Sequence, residues 1–204
     1  MDELFQSVRL ALAGRGFEVY AVPDAAAARD RALSLIPPES SVGVGGSMTV
    51  RQLGLTEMLE SSGHAVWWHW TGAEDRAAVL ENARHADVYL ASANAVTEDG
   101  LIMQIDGTGN RVAAICYGPS TVYLAVGRNK IVSGGYQEAM RRIKEVACPK
   151  NARRQGLDTP CAAEGGACRP LECAHSMCHI TASFERAPGG KRTVVLLIDE
   201  DLGY

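Results

Sequence analysis

Two glycine-rich stretches, roughly sixty residues apart, carry the side chains of this sequence that are suited to chemistry. The first runs from Ser41 to Val50 and contains Gly45, Gly46, Ser47, Met48 and Thr49. Glycines after a strand let the backbone aim its N–H groups at an anion, and a following helix start adds partial positive charge. The Ser47 and Thr49 hydroxyls can supplement those donors. The second stretch runs from Ala91 to Gly100 and resumes at Asp106-Gly-Thr-Gly-Asn-Arg111. It supplies Asn94, Thr97, Asp106 and Asn110 as polar contacts, with Gly107 and Gly109 freeing backbone N–H groups. Glu98 is its natural nucleophile or general base, because a carboxylate can attack an acyl group or take a proton. Together the two loops predict a pocket for a phosphorylated or carboxylated small molecule.

The first loop lacks the signatures of the common nucleotide sites. A dinucleotide fingerprint starting at Gly43 needs glycine where Met48 stands, and a Walker A loop needs Gly-Lys-Ser/Thr. No NAD or ATP motif is present. A tight turn before a capped helix is the competing reading, but three glycines with two hydroxyls exceed what a turn needs. For the second stretch the competing reading is plain strand-joining turns, for which Glu-Asp-Gly and Asp-Gly-Thr-Gly-Asn are well suited.

Four cysteines, Cys161, Cys168, Cys173 and Cys178, fall within eighteen residues, with His175 and His179 beside them. Four thiolates suit tetrahedral zinc or a [4Fe–4S] cluster. The intervals of six, four and four residues contain no Cys-x2-Cys knuckle, so reduced thiols and a disulfide stand as alternatives. Cys116 lies in an apolar run and reads as core, while Cys148 precedes a proline at a helix end.

The whole chain limits the classes of function. Its 204 residues fit a single domain, 47% are hydrophobic and the net charge is −4. Arg141, Arg142, Lys144, Lys150, Arg153 and Arg154 read as the solvent face of one helix and its tail, so nucleic acid is not expected. Acidic residues at the N-terminus and the lack of a long apolar run predict a cytoplasmic protein with no membrane segment. Trp67, Trp68 and Trp70 alternate on a strand and read as core; left exposed, they would mark a homo-oligomer or partner surface.

The elements that must position these residues alternate in the first half. Helices are expected at Leu4 to Leu12, at Ala25 to Leu35 with Asp24 as cap, from Thr49 to Gly54, from Thr56 to Gly63, and from Ala73 to His85. Strands are expected at Phe17 to Val22, Val42 to Val44, Ala65 to Trp70 and Val88 to Ala91. Such alternation predicts a mainly parallel sheet flanked by helices, an α/β fold of three layers. A helix-free middle follows, with strands at Leu101 to Ile105, Arg111 to Tyr117 and Thr121 to Val126. A helix from Gly135 to Ala147 and strands at Ile180 to Glu185 and Thr193 to Ile198 complete the set. Residues 148–180 read as an irregular Cys-rich loop, whose length calls for a clip such as a metal.

Several of these segments resemble one family. Ser41 to Leu55 is similar to the signature loop of the LUD domain, named for lactate utilisation. Ala93-Asn-Ala-Val-Thr-Glu-Asp-Gly-Leu101, Asp106-Gly-Thr-Gly-Asn-Arg-Val112, Tyr117-Gly-Pro119 and Val126-Gly-Arg-Asn-Lys-Ile-Val132 resemble its central signature. The likeness extends to Glu200-Asp-Leu-Gly203 and covers nearly the whole chain. It implies a NagB/RpiA/CoA transferase-like fold, in which the glycine loop holds phosphate or CoA and a carboxylate near the second loop, here Glu98, does the chemistry. It also implies a cytoplasmic subunit or accessory that works with an iron–sulfur partner protein in oxidising L-lactate to pyruvate. A non-catalytic metal- or cluster-bearing interaction module, and a sugar-phosphate or acyl-CoA enzyme, remain alternative readings.

Overall fold

The computed structural model describes residues 1–72 and 75–204. Its strands are β1 (Glu18–Val22), β2 (Val42–Val44), β3 (Val66–Trp68), β4 (Val88–Ala91), β5 (Ala95–Thr97), β6 (Ile102–Asp106), β7 (Thr121–Gly127), β8 (Ile131–Val132), β9 (Ile180–Phe184) and β10 (Arg192–Ile198). Six of them form a parallel sheet in the order β1-β10-β7-β4-β2-β3. The other four form a smaller mixed sheet in the order β8-β5-β6-β9. The helices are α1 (Glu3–Gly14), α2 (Ala25–Leu35), α3 (Met48–Leu53), α4 (Leu55–Ser61), α5 (Arg76–His85), α6 (Asn110–Cys116), α7 (Tyr136–Arg142) and α8 (Cys148–Arg154).

The layers follow from strands that are apolar on both faces. On one face of the large sheet, Val42, Val44, Leu90 and Leu196 pack with Ala28 and Ala32 of α2 and with Leu53 and Leu59. On the other, Tyr89, Leu124 and Val195 pack with Phe5, Val8 and Leu12 of α1, Ala83 of α5 and Ile115 of α6. The fold is therefore α/β, three-layered and mainly parallel, as the alternation of elements predicts. The small sheet joins the second core through Val96, Ile102 and Phe184, and its other face packs Met103 and Ile105 against Ala139 and Ile143. No helix among the described residues is long and apolar enough to cross a membrane.

Several local expectations are corrected. The run Arg111 to Tyr117 is not a strand but helix α6, so the middle of the chain is not helix-free. Gly109, at φ 88°, turns the chain into it, and the Asp106 carboxylate accepts from the N–H groups of Arg111 and Val112 at 3.1 and 3.2 Å. Cys116 is accordingly exposed at a helix end rather than buried in a strand. Ser47, not Thr49, caps α3, accepting from the Val50 N–H at 3.2 Å. Gly54, not Thr56, stands before α4, and the Ala65 to Trp70 strand shortens to β3. The helix expected from Gly135 to Ala147 continues through a π turn at Ile143–Ala147 into α8, so residues 148–154 are helical. The helix start expected at Ala73 lies outside the described residues.

Candidate functional site

The carboxyl ends of β2, β3, β4 and β7 open into one cavity of about 490 Å³, the edge at which open parallel sheets hold ligands. Gly46, Ser47 and Met48 enter from the β2–α3 loop, His69 and Trp70 from beyond β3, Ser92 to Asn94 from beyond β4, and Lys130 from the turn after β7. The small sheet and α6 close a second wall with Asp106, Gly107, Asn110 and Arg111. Asn151 and Arg154 of α8 close a third.

The glycines of the first loop serve close approach. Neither Gly45 nor Gly46 has a left-handed φ, so neither position needs glycine for its backbone conformation. A Cβ on Gly45 would lie 2.7 Å from Arg111 Cγ and 3.0 Å from the Tyr89 hydroxyl. One on Gly46 would lie 3.2 Å from the Trp70 ring. The loop is bare so that Arg111 and Trp70 can lie against it.

The charges in the cavity are unequal. Arg111 sits 3.6 Å from Asp106 and donates to the Ile105 carbonyl at 2.7 Å. Arg154 stacks over Trp70, with its guanidinium carbon 4.4 Å from the ring centre, so it does not belong to a purely solvent face. Arg76 is a third guanidinium of the lining, whose one side-chain carboxylate among the described residues is Asp106. Burial, reinforced by Arg76, Arg111 and Arg154, pushes the His69 imidazole below its ordinary pKa.

Lys130 is 4% exposed. Its Nζ donates to Thr49 Oγ1 and Ser92 Oγ, each at 2.7 Å. Both hydroxyls pass their own protons to backbone carbonyls, Thr49 to Leu202 and Ser92 to Ala125. The turn carrying the lysine is fixed by residues 199–203. Arg128 pairs with Asp199, its N–H donates to the Glu200 carbonyl, and Asn129 accepts from the Leu202 N–H and donates to the Gly203 carbonyl. Gly203, at φ 68°, runs directly over the amine; a Cβ there would lie 3.2 Å from Nζ.

Of the residues expected from sequence, Gly46, Ser47, Met48, Asn94, Asp106, Gly107 and Asn110 line the cavity. Asn94 Oδ1 accepts from the Ile105 N–H at 2.8 Å, and Thr49 lies behind the wall as a partner of Lys130. Gly45 backs Arg111, and Gly109 starts α6. Thr97 is buried in the β5–β6 turn, bonded to Asp99 and to the Leu101 N–H. Glu98 is exposed on that same turn, accepting from Ser133 Oγ at 3.1 Å and the Gly134 N–H at 3.3 Å, and the cavity lining includes neither Thr97 nor Glu98. Lys130, Ser92, Arg111 and His69 are not among the residues the sequence points to, and it assigns Arg154 to a solvent face and Trp70 to the core rather than to the cavity that both line. The one signal for Lys130 is its place, beside Arg128, in the short polar connection between the apolar runs of β7 and β8.

The structure does not bring the four clustered cysteines together as a ligand set. Among the described residues, no group of three or more His, Cys, Asp or Glu side chains is placed to hold a metal ion. Cys161 is buried beside the Thr159 hydroxyl, and Cys168 is exposed. Cys178 instead meets Cys148, at an Sγ–Sγ separation of 3.4 Å, and Cys148 lines the cavity. The hydrogen bond between the two thiols, with burial, raises the pKa of Cys148, and the same bond, with help from Lys144, lowers that of Cys178 to about 6. A small movement brings the pair to the ~2.05 Å of a disulfide bond. Mild oxidation of the native protein is expected to yield the Cys148–Cys178 cross-link first, read as that linked peptide pair in a non-reducing digest. Closing so long a loop is expected to stabilise the fold by about 3.7 kcal/mol. Preferential pairing of Cys168 with Cys173 would contradict the placement.

The sequence model of the LUD domain matches residues 6–198. Among solved structures, the fold is similar to that of a DUF162 family protein from Deinococcus radiodurans, with a TM-score of 0.55 and 14% identity over 96% of each chain. At that identity the likeness bears on the fold. No curated protein matches the chain.

Proposed function

Because the chain belongs to the LUD domain family, whose name refers to lactate utilisation, we propose that it binds a small organic acid as part of an organic-acid oxidation system. In this reading it is a subunit or accessory that works beside an iron–sulfur partner in the conversion of L-lactate to pyruvate. The observation that supports it is the charge of the cavity. Among the described residues, Arg76, Arg111 and Arg154 line a space to which one side-chain carboxylate, Asp106, belongs. A carboxylate ligand balances that excess and takes up the guanidinium donors in paired, charge-assisted hydrogen bonds. The cavity volume suits a small metabolite, and its polar groups converge from four strand ends.

Titration calorimetry with pyruvate, L-lactate and inorganic phosphate tests this reading. The native protein is expected to bind pyruvate or lactate, with affinity falling as salt is added. Arg154→Met removes an exposed guanidinium that caps no helix, so the fold is expected to survive while affinity drops about tenfold or more. Failure of all three anions to bind at millimolar concentration, or unchanged affinity in Arg154→Met combined with Arg111→Gln, would overturn it.

A further inference from the structure

Lys130 is a basic group whose surroundings do not fit a charged ammonium. Nζ is enclosed by Thr49 of α3, Ser92 after β4 and the backbone of Gly203, with no carboxylate among its hydrogen-bond partners in the described residues. Arg142 lies on α7 and Arg111 on α6, and both add positive field at the amine. Burial first, and these two guanidinium groups second, hold its pKa well below the lysine range. An ammonium has three protons to donate. Here two hydroxyl oxygens, each already committed as a donor to a backbone carbonyl, accept two N–H bonds. A neutral amine has two N–H groups and one lone pair, so this environment satisfies both N–H groups and leaves the lone pair without a donor among the described residues. The remaining position is left for an occupant of the cavity that Lys130 lines. A desolvated, neutral lysine beside other cations is the form in which this side chain acts as a nucleophile.

We propose that Lys130 is a nucleophilic amine that captures the carbonyl carbon of a 2-oxo acid whose carboxylate is held by the guanidinium groups of the cavity. The Nζ lone pair forms the C–N bond while the carbonyl π pair moves to oxygen. The proton shed by nitrogen passes to that oxygen, giving a neutral carbinolamine. Loss of the hydroxyl group with one further nitrogen proton, as water, leaves the imine. The sum is amine plus carbonyl giving imine plus water, and no oxidant or reductant is consumed. The inference rests on the reading that a small organic acid occupies the cavity and adds that its carbonyl form is bound covalently.

Reductive trapping tests it directly. Native protein is incubated with pyruvate and cyanoborohydride at neutral pH, then digested and mapped by mass spectrometry, with calorimetry of L-lactate binding run alongside. The expected result is one carboxyethyl group on Lys130, introduced at least about tenfold faster than on Lys144, Lys150 or Lys191, because ordinary lysines are almost fully protonated there. Lys191 is the sharpest internal comparison, since burial lowers its pKa too but it donates to the Ala114 carbonyl away from the cavity. Excess L-lactate, which has the carboxylate but no carbonyl, is expected to suppress the label. Lys130→Arg is expected to abolish it, and because the modified residue is located in the native protein, the result stands even if that variant fails to fold. Lactate binding without an adduct on Lys130 overturns the amine proposal and leaves the anion site intact. Absence of both binding and adduct overturns both.

Discussion

Replacing Lys130 by methionine is expected to raise the stability of the protein at pH 7 by about 1–3 kcal/mol, because the lysine gives up its proton on entering the folded site and methionine has none to lose. The opposing cost is two hydrogen bonds, to Thr49 and Ser92, worth about 1 kcal/mol each. The hydroxyls keep their bonds to the Leu202 and Ala125 carbonyls, so no donor is orphaned. The gain is also expected to depend on pH. Lys130 is a base whose folded pKa lies below its unfolded value, so the unfolded chain holds a proton that the folded protein sheds. Stability then rises with pH from the folded pKa up to the ordinary lysine value, by at most about 1.4 kcal/mol per pH unit. Urea denaturation of both proteins at pH 7, 8 and 9 should show the native protein closing the gap on Lys130→Met. Arg111 and Arg142 are common to both, so their contribution largely cancels. A variant less stable than native at every pH would mean that the lysine is a charged tether and not a neutral amine.

The second large effect is expected at Gly43, in the middle of β2. A Cβ there would stand 2.8 Å from the carbonyl carbon of Ala83 and 2.9 Å from its Cα, closer than real side chains approach backbone. The obstacle is rigid, because Ala83 lies inside α5 and Gly43 is paired with Trp67 on one side and Tyr89 on the other. Gly43→Ala therefore has to lift α5 off the sheet. The expected cost is about 3 kcal/mol, the upper end of overpacking. For a chain of this size that corresponds to a loss of about 6–12 °C in Tm. Gly135→Ala is the control, since no atom lies within 4 Å of its added Cβ and its φ of −105° suits any residue. Thermal melts that move Gly43→Ala no further than Gly135→Ala would show that α5 is not seated on β2 as described.

The parts of the fold that were legible in the sequence are those where local signals and tertiary structure agree. Val42–Val44 and Val88–Ala91 are short apolar runs bounded by turn residues, and both are buried strands. Asp24 caps α2 as its position before the Ala-rich run implies. Helix α6 was not legible because Val112-Ala-Ala-Ile-Cys116 has no polar face and its start depends on a carboxylate upstream, at the end of β6. The sequence points to the glycine loop, which lines the cavity, but the reason for its glycines, room for Arg111 and Trp70, exists only once β3 and α6 are folded beside it. The cations show the same limit more strongly. Arg154 ends a helix whose other arginines meet solvent or backbone, and nothing in its neighbours announces the turn toward Trp70. Glu98 was singled out for its chemistry, whereas its place on the β5–β6 turn is set by strand pairing.

The order of the large sheet carries a consequence for how the chain reaches its native state. β10 lies between β1 and β7, with Glu18 beside Val194 and Thr121 beside Arg192. Until residues 192–198 are available, β1 has no neighbour in the sheet, and the apolar edges of β1 and β7 stay open. A nascent chain emerging from the ribosome can assemble β2, β3, β4 and β7, but it cannot close the sheet around the cavity until this late segment slots into the gap. Such long-range parallel pairing bears its loop-closure entropy before its contacts form, which makes it slow. In the cell, the interval before β10 arrives is the window in which this protein is most exposed to aggregation and to capture by chaperones.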